Sequence, residues 1–322
     1  MRRLIFIIYI SYLFQATFSQ PVPSVEENIP FLMTFGNESD ISWGDDDYSQ
    51  AFFFLIPSDF KRQVFIRVFD PDIGGKHDEI RGNWNTMCSF EVFGGEGCHS
   101  EDDARETSPF GNYKSGTLLA RKVFENEPRY DDDWYTFGPF NPEEGEYSEV
   151  FDANIFKVIA EGISGDDGNM YRYFISTSGM ENIPIEGANA FAYEYSFRMH
   201  NDPYEVSHIY PYITEGTVTV KISNFDWDND GHILVVSKER QGQRLTVSGE
   251  SDWVRDEIKV IKEEEKSSYD FQFVKSKRPI IRNNNVVVNV RNQYDETMPF
   301  YTSPIGGVPK YKYSVIAEPL DD

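Results

Sequence analysis

Three aspartates occupy alternate positions in the segment NFDWDNDGHILVV, namely Asp226, Asp228 and Asp230, and Gly231 follows them. This pattern is typical of calcium loops, because Ca²⁺ takes about six to eight oxygen ligands and glycine permits the sharp turn that gathers them. The segment is not an EF-hand, since the twelfth position from Asp226 is Ser237 instead of glutamate and a strand-like apolar run follows. We therefore expect a calcium site at the end of a β-sheet.

A second acidic segment, FDPDIGGKHDE, follows the strand-like run QVFIRVF and supplies Asp70, Asp72 and Asp78. Gly74 and Gly75 let the chain fold back, so that the third carboxylate returns toward the first two. The lysine and histidine between them count against a metal, because a cation in the loop competes with it. The segment predicts a second calcium site, with Asp70, Asp72 and Asp78 as ligands.

The two acidic segments look like copies of one strand-and-loop unit. VFIRVFDPD from Val64 and VTVKISNFD from Val218 share the order of their apolar, basic and acidic positions at an offset of 154 residues (218 minus 64), which matches Asp72 with Asp226. Duplication of the unit explains this match, and chance similarity of two strands is the alternative. A third acidic turn, SGDDGNMY, places Asp166 and Asp167 where they could complete the first site.

Plain turns are the alternative to a metal at each of these loops, since Asp, Asn and Gly are also the usual turn residues. The triplets WGDDDY (45–47) and YDDDW (131–133) are interpreted as solvated turns of this kind. Trp227 lies between two of the alternate aspartates. If their carboxylates face an ion, alternation turns the indole away from it, toward a partner such as a sugar ring or toward its own sandwich core.

The N-terminus reads as a cleaved secretory signal over residues 1–20, with Arg2 and Arg3 ahead of an apolar run too short to span a bilayer. The formal charge of −24 becomes −26 without these two arginines, because residues 1–20 contain no acid. Such an acidic chain is an unlikely partner for nucleic acid. We expect a secreted or cell-envelope protein with no transmembrane segment in the mature chain.

The two cysteines, Cys88 and Cys98, flank a Gly-rich turn, and the exported context favours a disulfide between them, with free thiols as the alternative. Catalytic motifs are missing from the sequence: it has no GxSxG elbow, HExxH helix, P-loop or dinucleotide fingerprint. Paired carboxylates of the glycosidase type have no sequence signature, because the fold sets their separation. The chain is therefore expected to be non-catalytic, with a hydrolase as the alternative.

Short runs rich in Val, Ile, Phe, Tyr and Thr recur along the chain, often alternating with polar residues, and Gly, Pro, Asn and Asp separate them. This pattern predicts an all-β fold: two tandem antiparallel β-sandwich (jelly-roll-like) domains after the cleaved signal peptide, at residues 21–180 and 186–322. The segment SDWVRDEIKVIKEEEK fits a helix or a strand. We interpret it as a strand that leads through a charged turn at 263–266 into YDFQFV.

The run AFFFLIPSDFKRQVFIRVFDPDIGGKHDE, followed by YTFGPF and FKVIAEGISGDDGNMYRYFIS, resembles exported bacterial β-sandwich modules of the pre-peptidase C-terminal type. The resemblance covers about the first half of the chain. It implies a jelly-roll-like sandwich with an accessory binding role. By residue match, it also implies that Asp70 and Asp72 are loop ligands.

Together these features predict a secreted, calcium-stabilised β-sandwich protein that binds an extracellular glycan or protein without catalysis. The alternatives are a carbohydrate-active hydrolase that uses paired carboxylates, and a structural component of an envelope or matrix.

Overall fold

The computed structural model describes residues 27–107, 113–277, 281–302 and 307–308, so the predicted signal peptide lies outside the described part. This part is nearly all β, which confirms the predicted fold class. Its only helices are short 3₁₀ turns at Ile41–Trp43, Asp102–Arg105, Pro142–Glu144 and Lys262–Glu264. Within these ranges no helix has the length and apolar character needed to cross a membrane.

Nine strands form the first half of the described chain. Most of them carry the aromatic and β-branched residues that suit a pleated, half-buried surface. Their bounds are β1 (Leu32–Phe35), β2 (Ser49–Pro57), β3 (Val64–Phe69), β4 (Met87–Gly94), β5 (Thr117–Phe124), β6 (Trp134–Phe140), β7 (Glu146–Ser148), β8 (Ala153–Ser164) and β9 (Gly168–Ser176).

These strands build a jelly roll of two facing layers. One layer has the order β1-β9-β3-β6 and the other β2-β8-β4-β5, with antiparallel neighbours throughout. Two interleaved Greek keys give this order. Alternate side chains, such as Phe52, Phe90 and Tyr171, point between the layers and are fully buried.

The second half repeats the arrangement with the layers β12-β21-β15-β18 and β13-β20-β16-β17. The segment left ambiguous by its periodicity is a strand, β18, which leads through a 3₁₀ turn toward β20 as expected. The bounds are β10 (Ile185–Glu186), β11 (Asn189–Ala192), β12 (Glu194–Arg198), β13 (Val206–Ile209), β14 (Tyr212–Ile213), β15 (Thr219–Phe225), β16 (Gly231–Val236), β17 (Gln241–Leu245), β18 (Trp253–Lys259), β19 (Ser267–Ser268), β20 (Asp270–Lys275), β21 (Asn285–Arg291), β22 (Phe300–Thr302) and β23 (Gly307–Val308).

The two rolls join edge to edge. Strand β1 of the first roll pairs with β12 of the second through Leu32 and Phe197, so one eight-stranded sheet runs through both. Strand β11 crosses back to pair with β2, and one buried apolar cluster includes side chains of both rolls. The domain bounds at 21–180 and 186–322 stay a prediction.

The predicted disulfide is wrong: Cys88 and Cys98 are both free and buried. Cys88 is the second residue of strand β4 and faces the main core, whereas Cys98 follows the other end of that strand and packs in a separate small cluster with Phe93. Six residues of extended strand between Cys88 and Gly94 span about 20 Å. The Gly-rich turn lies beyond that strand, so it cannot bring the two sulfurs together.

Candidate metal centre

The turn after β3 is built around Asp70, which has a left-handed backbone (φ 54°) and is almost fully buried. Its amide donates to the carbonyl of Asp133 (2.9 Å), and the amide of Asp132 donates to its Oδ1 (3.1 Å). Asp132 is itself left-handed (φ 56°). These bonds fasten the turn after β3 to the loop that precedes β6.

Two further carboxylates converge on Asp70. Asp72 is fully buried, and its Oδ2 accepts from the amide of Glu127 (2.9 Å). An oxygen of each of Asp70, Asp72 and Asp131 lies within 4.8 Å of the others. Asp72 Oδ1 and Asp131 Oδ1 are buried and make no hydrogen bond within the described part of the chain. Burying a carboxylate oxygen without a partner is energetically costly, so a bound cation would stabilise this site.

The electrostatics of the site agree with its geometry. Burial raises the pKa of Asp70 to about 6 and that of Asp72 to about 7, although backbone hydrogen bonds from Asp132 and Glu127 act in the opposite direction. The negative charge of Asp131 raises both values further. Burial and mutual repulsion thus both oppose the ionised forms of Asp70 and Asp72. Because all three ligands are carboxylate oxygens, the residues fit a hard divalent cation such as calcium.

The two cationic side chains of the first acidic segment form their ion pairs with Asp132, and the charge of His77 also lowers the pKa of Asp70. Asp132 Oδ2 forms an ion pair with Lys76 Nζ (2.7 Å), and its Oδ1 contacts His77 Nε2 (2.8 Å). These two partners lower the pKa of Asp132, with the Lys76 hydrogen bond as the largest cause. Lys76 and His77, which argued against a metal in the sequence, are therefore both paired with Asp132. Neither of them forms an ion pair with Asp72 or Asp131.

Asp78, predicted as a ligand, has a structural role in the described chain. Its Oδ2 accepts from the Gly74 amide (2.8 Å) and its Oδ1 from the Met170 amide (2.7 Å), so it ties the loop to β9. Asp167 behaves similarly: it is fully buried and accepts from the amides of Arg81 (2.8 Å) and Asn85 (3.0 Å). These acids shape the long loop before β4.

The turn after β15 repeats the backbone of the first turn. Asp226 has φ 54°, its amide donates to the carbonyl of Asp252 (3.4 Å), and Ser251, also left-handed, donates its amide to Asp226 Oδ1 (2.6 Å). The structure thus matches Asp226 with Asp70, whereas the sequence alignment matched it with Asp72. Burial, with the charges of Asp228 and others, raises the pKa of Asp226 to about 7.

The predicted ligands of this second turn are not gathered on one point. Asp226, Asp228 and Asp230 do not form a group of converging ligand atoms among the residues that the structure describes. Asp230 Oδ2 forms an ion pair with Lys275 Nζ at 2.7 Å, and both side chains are only 1% exposed. The Ile281 amide donates to the same oxygen (3.1 Å). A buried ammonium group thus already offsets the negative charge of Asp230.

The interpretation of Trp227 as an exposed partner-binding residue is wrong, because its side chain is fully buried and packs on Phe273 with ring centroids 5.5 Å apart. The argument from strand alternation fails because the chain leaves the extended conformation here. Left-handed backbone at Asp226 (φ 54°) and Asp228 (φ 60°) turns the indole into the core of the second roll.

Sequence reasoning missed Asp131 and Asp132, which it treated as part of a solvated turn. A signal was present: an Asp-Trp pair stands at the start of both β6 (Asp133, then Trp134) and β18 (Asp252, then Trp253). In both rolls this tryptophan pairs with the last residue of the strand before the acidic turn. In each roll the acidic turn, FDPD or FDWD, faces the loop that ends in DDDW or ESDW, respectively. Only the loop of the first roll has an acid at each of the three positions before the tryptophan.

The comparisons with known proteins add little. No family model matches the chain, and no curated protein matches it. Among solved structures, a chain in the cryo-EM structure of Broad Bean Stain Virus is similar at a TM-score of 0.23 and 9% sequence identity, over 89% of this chain and 95% of that chain. This likeness carries no argument about fold or function. The resemblance to pre-peptidase C-terminal modules stays a prediction.

Proposed function

We propose that this is a secreted, calcium-stabilised β-sandwich protein that acts as a non-catalytic binding module for an extracellular or cell-surface partner. One observation supports the calcium part above all. Asp70, Asp72 and Asp131 converge at one end of the first roll, and two of their buried oxygens lack hydrogen-bond partners in the described ranges. A divalent cation would satisfy these oxygens and offset the repulsion among the three charges.

Calcium bound there would fasten the turn after β3 to the loop before β6. Binding to the folded state alone stabilises it by mass action. Asp70 and Asp72 belong to the turn, and Asp131 belongs to the facing loop, so the ion would join two connections that hydrogen bonds already align.

Calorimetry with calcium titrated into chelator-treated protein tests this part. We expect Asp72→Asn and Asp131→Asn each to bind one calcium ion fewer per chain than the wild type. Glu149→Gln removes an exposed acid outside the cluster and serves as the charge-matched control. Equal binding by the wild type and both asparagine variants would refute the site.

An open groove of about 420 Å³ between the rolls supports the binding part. Its lining is largely polar and includes Trp43, Arg81, Asp228, Arg282 and Asn283. Its size is that of a small-ligand site, and its amide, carboxylate and guanidinium groups can hydrogen-bond the hydroxyls of a sugar. Because Arg81 stacks on the Trp43 ring at 3.9 Å, that face of the indole is already covered. A glycan would therefore be held mainly by hydrogen bonds.

A glycan array probed with the wild type and with Asp228→Ala and Arg282→Ala tests the groove. We expect both variants to lose the wild-type signal, and Val150→Ala, which changes an exposed residue outside the groove, to keep it. Capture of the same glycan by all four proteins would place the ligand elsewhere.

One observation favours the alternative of a carbohydrate-active hydrolase. Asp226, whose pKa is raised to about 7, lines the same groove as Asp228. Glycoside hydrolysis uses two carboxyl groups in one cleft, one as acid and one as base or nucleophile, and burial raises the pKa of Asp228 as well. A screen on polysaccharides separates the two functions: hydrolysis that Asp226→Asn abolishes would favour the enzyme, and binding without turnover would favour the module.

A further inference from the structure

Strand β18 (Trp253–Lys259) is an outer edge of the eight-stranded sheet. It pairs with β15 on one side, in an unbroken register from Trp253 to Lys259, and no strand of the described chain lies on its other side. An edge of this kind presents unpaired backbone N–H and C=O groups, with which a further strand can form a ladder. The edge is thus a candidate interaction surface.

The other three outer edges of the two rolls are interrupted. Strand β6 contains Pro139, which cannot donate to a ladder. Strands β5 and β17 each carry a bulge, at Leu119 and at the left-handed Gly242 (φ 86°), respectively. Such irregularities protect an edge from pairing with another chain. The residues of β18 include no glycine, proline or bulge, so among these four described edges it is the one suited to a further strand.

The ladder with β15 fixes which backbone groups of β18 face the open side. At the start of this ladder, the Asp226 amide donates to the carbonyl of Asp252, the residue before β18 (3.4 Å). Hydrogen-bonded pairs alternate along an antiparallel ladder, so the even-numbered residues of β18 bond to β15 and the odd-numbered ones direct their N–H and C=O groups to the open side. Of these groups, the Lys259 carbonyl already accepts from Arg240 Nη2 in the described chain.

The side chains of β18, in the order WVRDEIK, are complementary to those of a second β18 strand that runs antiparallel to it. In the register centred on Asp256, apolar residues face each other and opposite charges face each other. The facing pairs are Trp253 with Lys259, Val254 with Ile258, Arg255 with Glu257, and Asp256 with its own copy. Each of the first three pairs occurs twice, because the arrangement has two-fold symmetry.

The side chains that would form the ion pairs are accessible. Glu257 is exposed and forms no ion pair in the described chain. Arg255 contacts Asp295 at 3.4 Å, but the two side chains are 48% and 58% exposed, and a surface pair of this kind contributes little to stability. At the centre of the register, Asp256 accepts from the amide and the hydroxyl of Thr246, so its carboxylate is held against its own chain.

We propose that β18 pairs with β18 of a second copy of this chain, so that the protein forms a two-fold dimer with one sheet continuous through both copies. The self-complementary charges of the edge support a second copy as the partner. Each copy contributes only seven residues, and Asp256 faces its own copy at the centre, so we expect a weak dimer. The proposal does not depend on the calcium site or on the groove between the rolls.

Sedimentation of the full-length protein at about 0.15 M ionic strength tests the proposal, because charge repulsion between two acidic copies is screened there. Arg255→Glu and Glu257→Arg each replace two attractive contacts by two repulsive ones, and each should weaken the dimer at least about tenfold. The variant that carries both substitutions restores the opposite charges in reversed order, so it should dimerise within about threefold of the wild type.

Arg62→Glu is the matched control. It makes the same charge change at an exposed residue of the first roll and should dimerise as the wild type does. A wild type that stays monomeric up to about 1 mM would overturn the proposal, whether the edge is covered by another segment of the chain or by nothing. A dimer that survives both single substitutions would also overturn it.

Cysteine cross-linking tests the register independently. Residue 256 faces its own copy in a pair without backbone hydrogen bonds, where Cα atoms are about 4.5 Å apart, a distance that a disulfide can span. Asp256→Cys should therefore form a disulfide-linked dimer under oxidising conditions. Lys259→Cys is more exposed, but it lies six residues from its own copy in this register, about 20 Å, and should cross-link far more slowly. Equal rates in the two variants would mean that β18 does not pair in this way.

Discussion

The turn after β3 and the turn after β15 share one backbone but neutralise their charge differently. Asp70 and Asp226 have the same left-handed conformation and accept from equivalent amides in the facing loops. In the first turn, Asp131 joins the cluster and leaves an oxygen without a partner in the described chain. In the second turn, Asp230 also has a buried Oδ1 without a partner in the described chain, but its Oδ2 forms an ion pair with the buried Lys275. Among the described residues, a lysine pairs with Asp230 of the second turn, whereas Asp72 and Asp131 of the first cluster form no ion pair.

This difference shows that the acidic turn by itself does not make a metal site. A residue from another strand decides the outcome. Lys275 ends β20, where it pairs with Gly231 at the start of β16; at the corresponding ends of the first roll, Ser164 of β8 pairs with Met87 of β4. Because serine has no ammonium group, it cannot neutralise the carboxylates of the first turn.

Among substitutions, the largest effect is expected from removing the internal cation of the second turn. Lys275→Met leaves Asp230 buried and unpaired, which should lower the free energy of unfolding by about 3–5 kcal/mol in urea titrations. Lys266→Met is the matched control, because its pair with Glu215 is exposed and should contribute at most about 1 kcal/mol. Adding Asp230→Asn to Lys275→Met should recover much of the loss. If Lys275→Met lowers the free energy of unfolding no more than Lys266→Met does, Lys275 does not distinguish the two turns.

The second effect is the pH dependence of stability, which should differ between the two turns. Burial raises the carboxyl pKa to about 6 for Asp70 and to about 7 for Asp72, from an ordinary value of 3.8, so between about pH 4 and pH 7 the native state binds more protons than the unfolded state. Stability in chelator should therefore fall by up to about 7 kcal/mol as the pH rises through this window.

Calcium should flatten this part of the pH profile, because the ion replaces the protons at the first turn. The contribution of Asp226, whose pKa is about 7, should remain in calcium, because the second turn is not expected to bind the ion. Urea unfolding measured across the window with calcium and with chelator checks both statements. Parallel profiles would contradict them.

Calcium stabilisation through the first turn should be somewhat smaller. At roughly thirtyfold Kd, bound calcium adds about 2 kcal/mol to the free energy of unfolding. Asp131→Asn should lose this increment. Glu250→Gln removes an acid near the second turn and should keep it. The increment is read from urea titrations with and without calcium, and an equal loss in the two variants would mean that the turns do not differ.

The smallest effect concerns the shared backbone. Ser251 and Asp132 occupy matched left-handed positions (φ 56° each). Ser251→Gly removes the steric cost of this conformation and should stabilise the protein by at most about 1 kcal/mol. Asp132→Gly should gain less, because it also removes the ion pair with Lys76. Urea midpoints measure both changes, and a destabilised Ser251→Gly would mean that the turns are strained differently.

Much of the fold could be predicted from the sequence. Alternating runs such as TVTVKIS and NVVVNVRN identified strands, and the acidic clusters after QVFIRVF and TVTVKIS identified the turns at their ends. The inward direction of Trp227 was one of the two directions that the sequence left open, and strand alternation could not decide between them because left-handed residues set it. The disulfide was wrong because nine intervening residues include most of a strand.

The sequence by itself determined the β class, the acidic turns and the first two carboxylates of the Asp70 cluster, because strand periodicity and turn chemistry are local properties of the chain. Only the tertiary structure decided which charges meet. Asp131 lies 59 residues beyond Asp72 (131 minus 72), and Lys275 lies 45 residues beyond Asp230 (275 minus 230). Strand pairing brings such distant residues together, and no local pattern records that pairing.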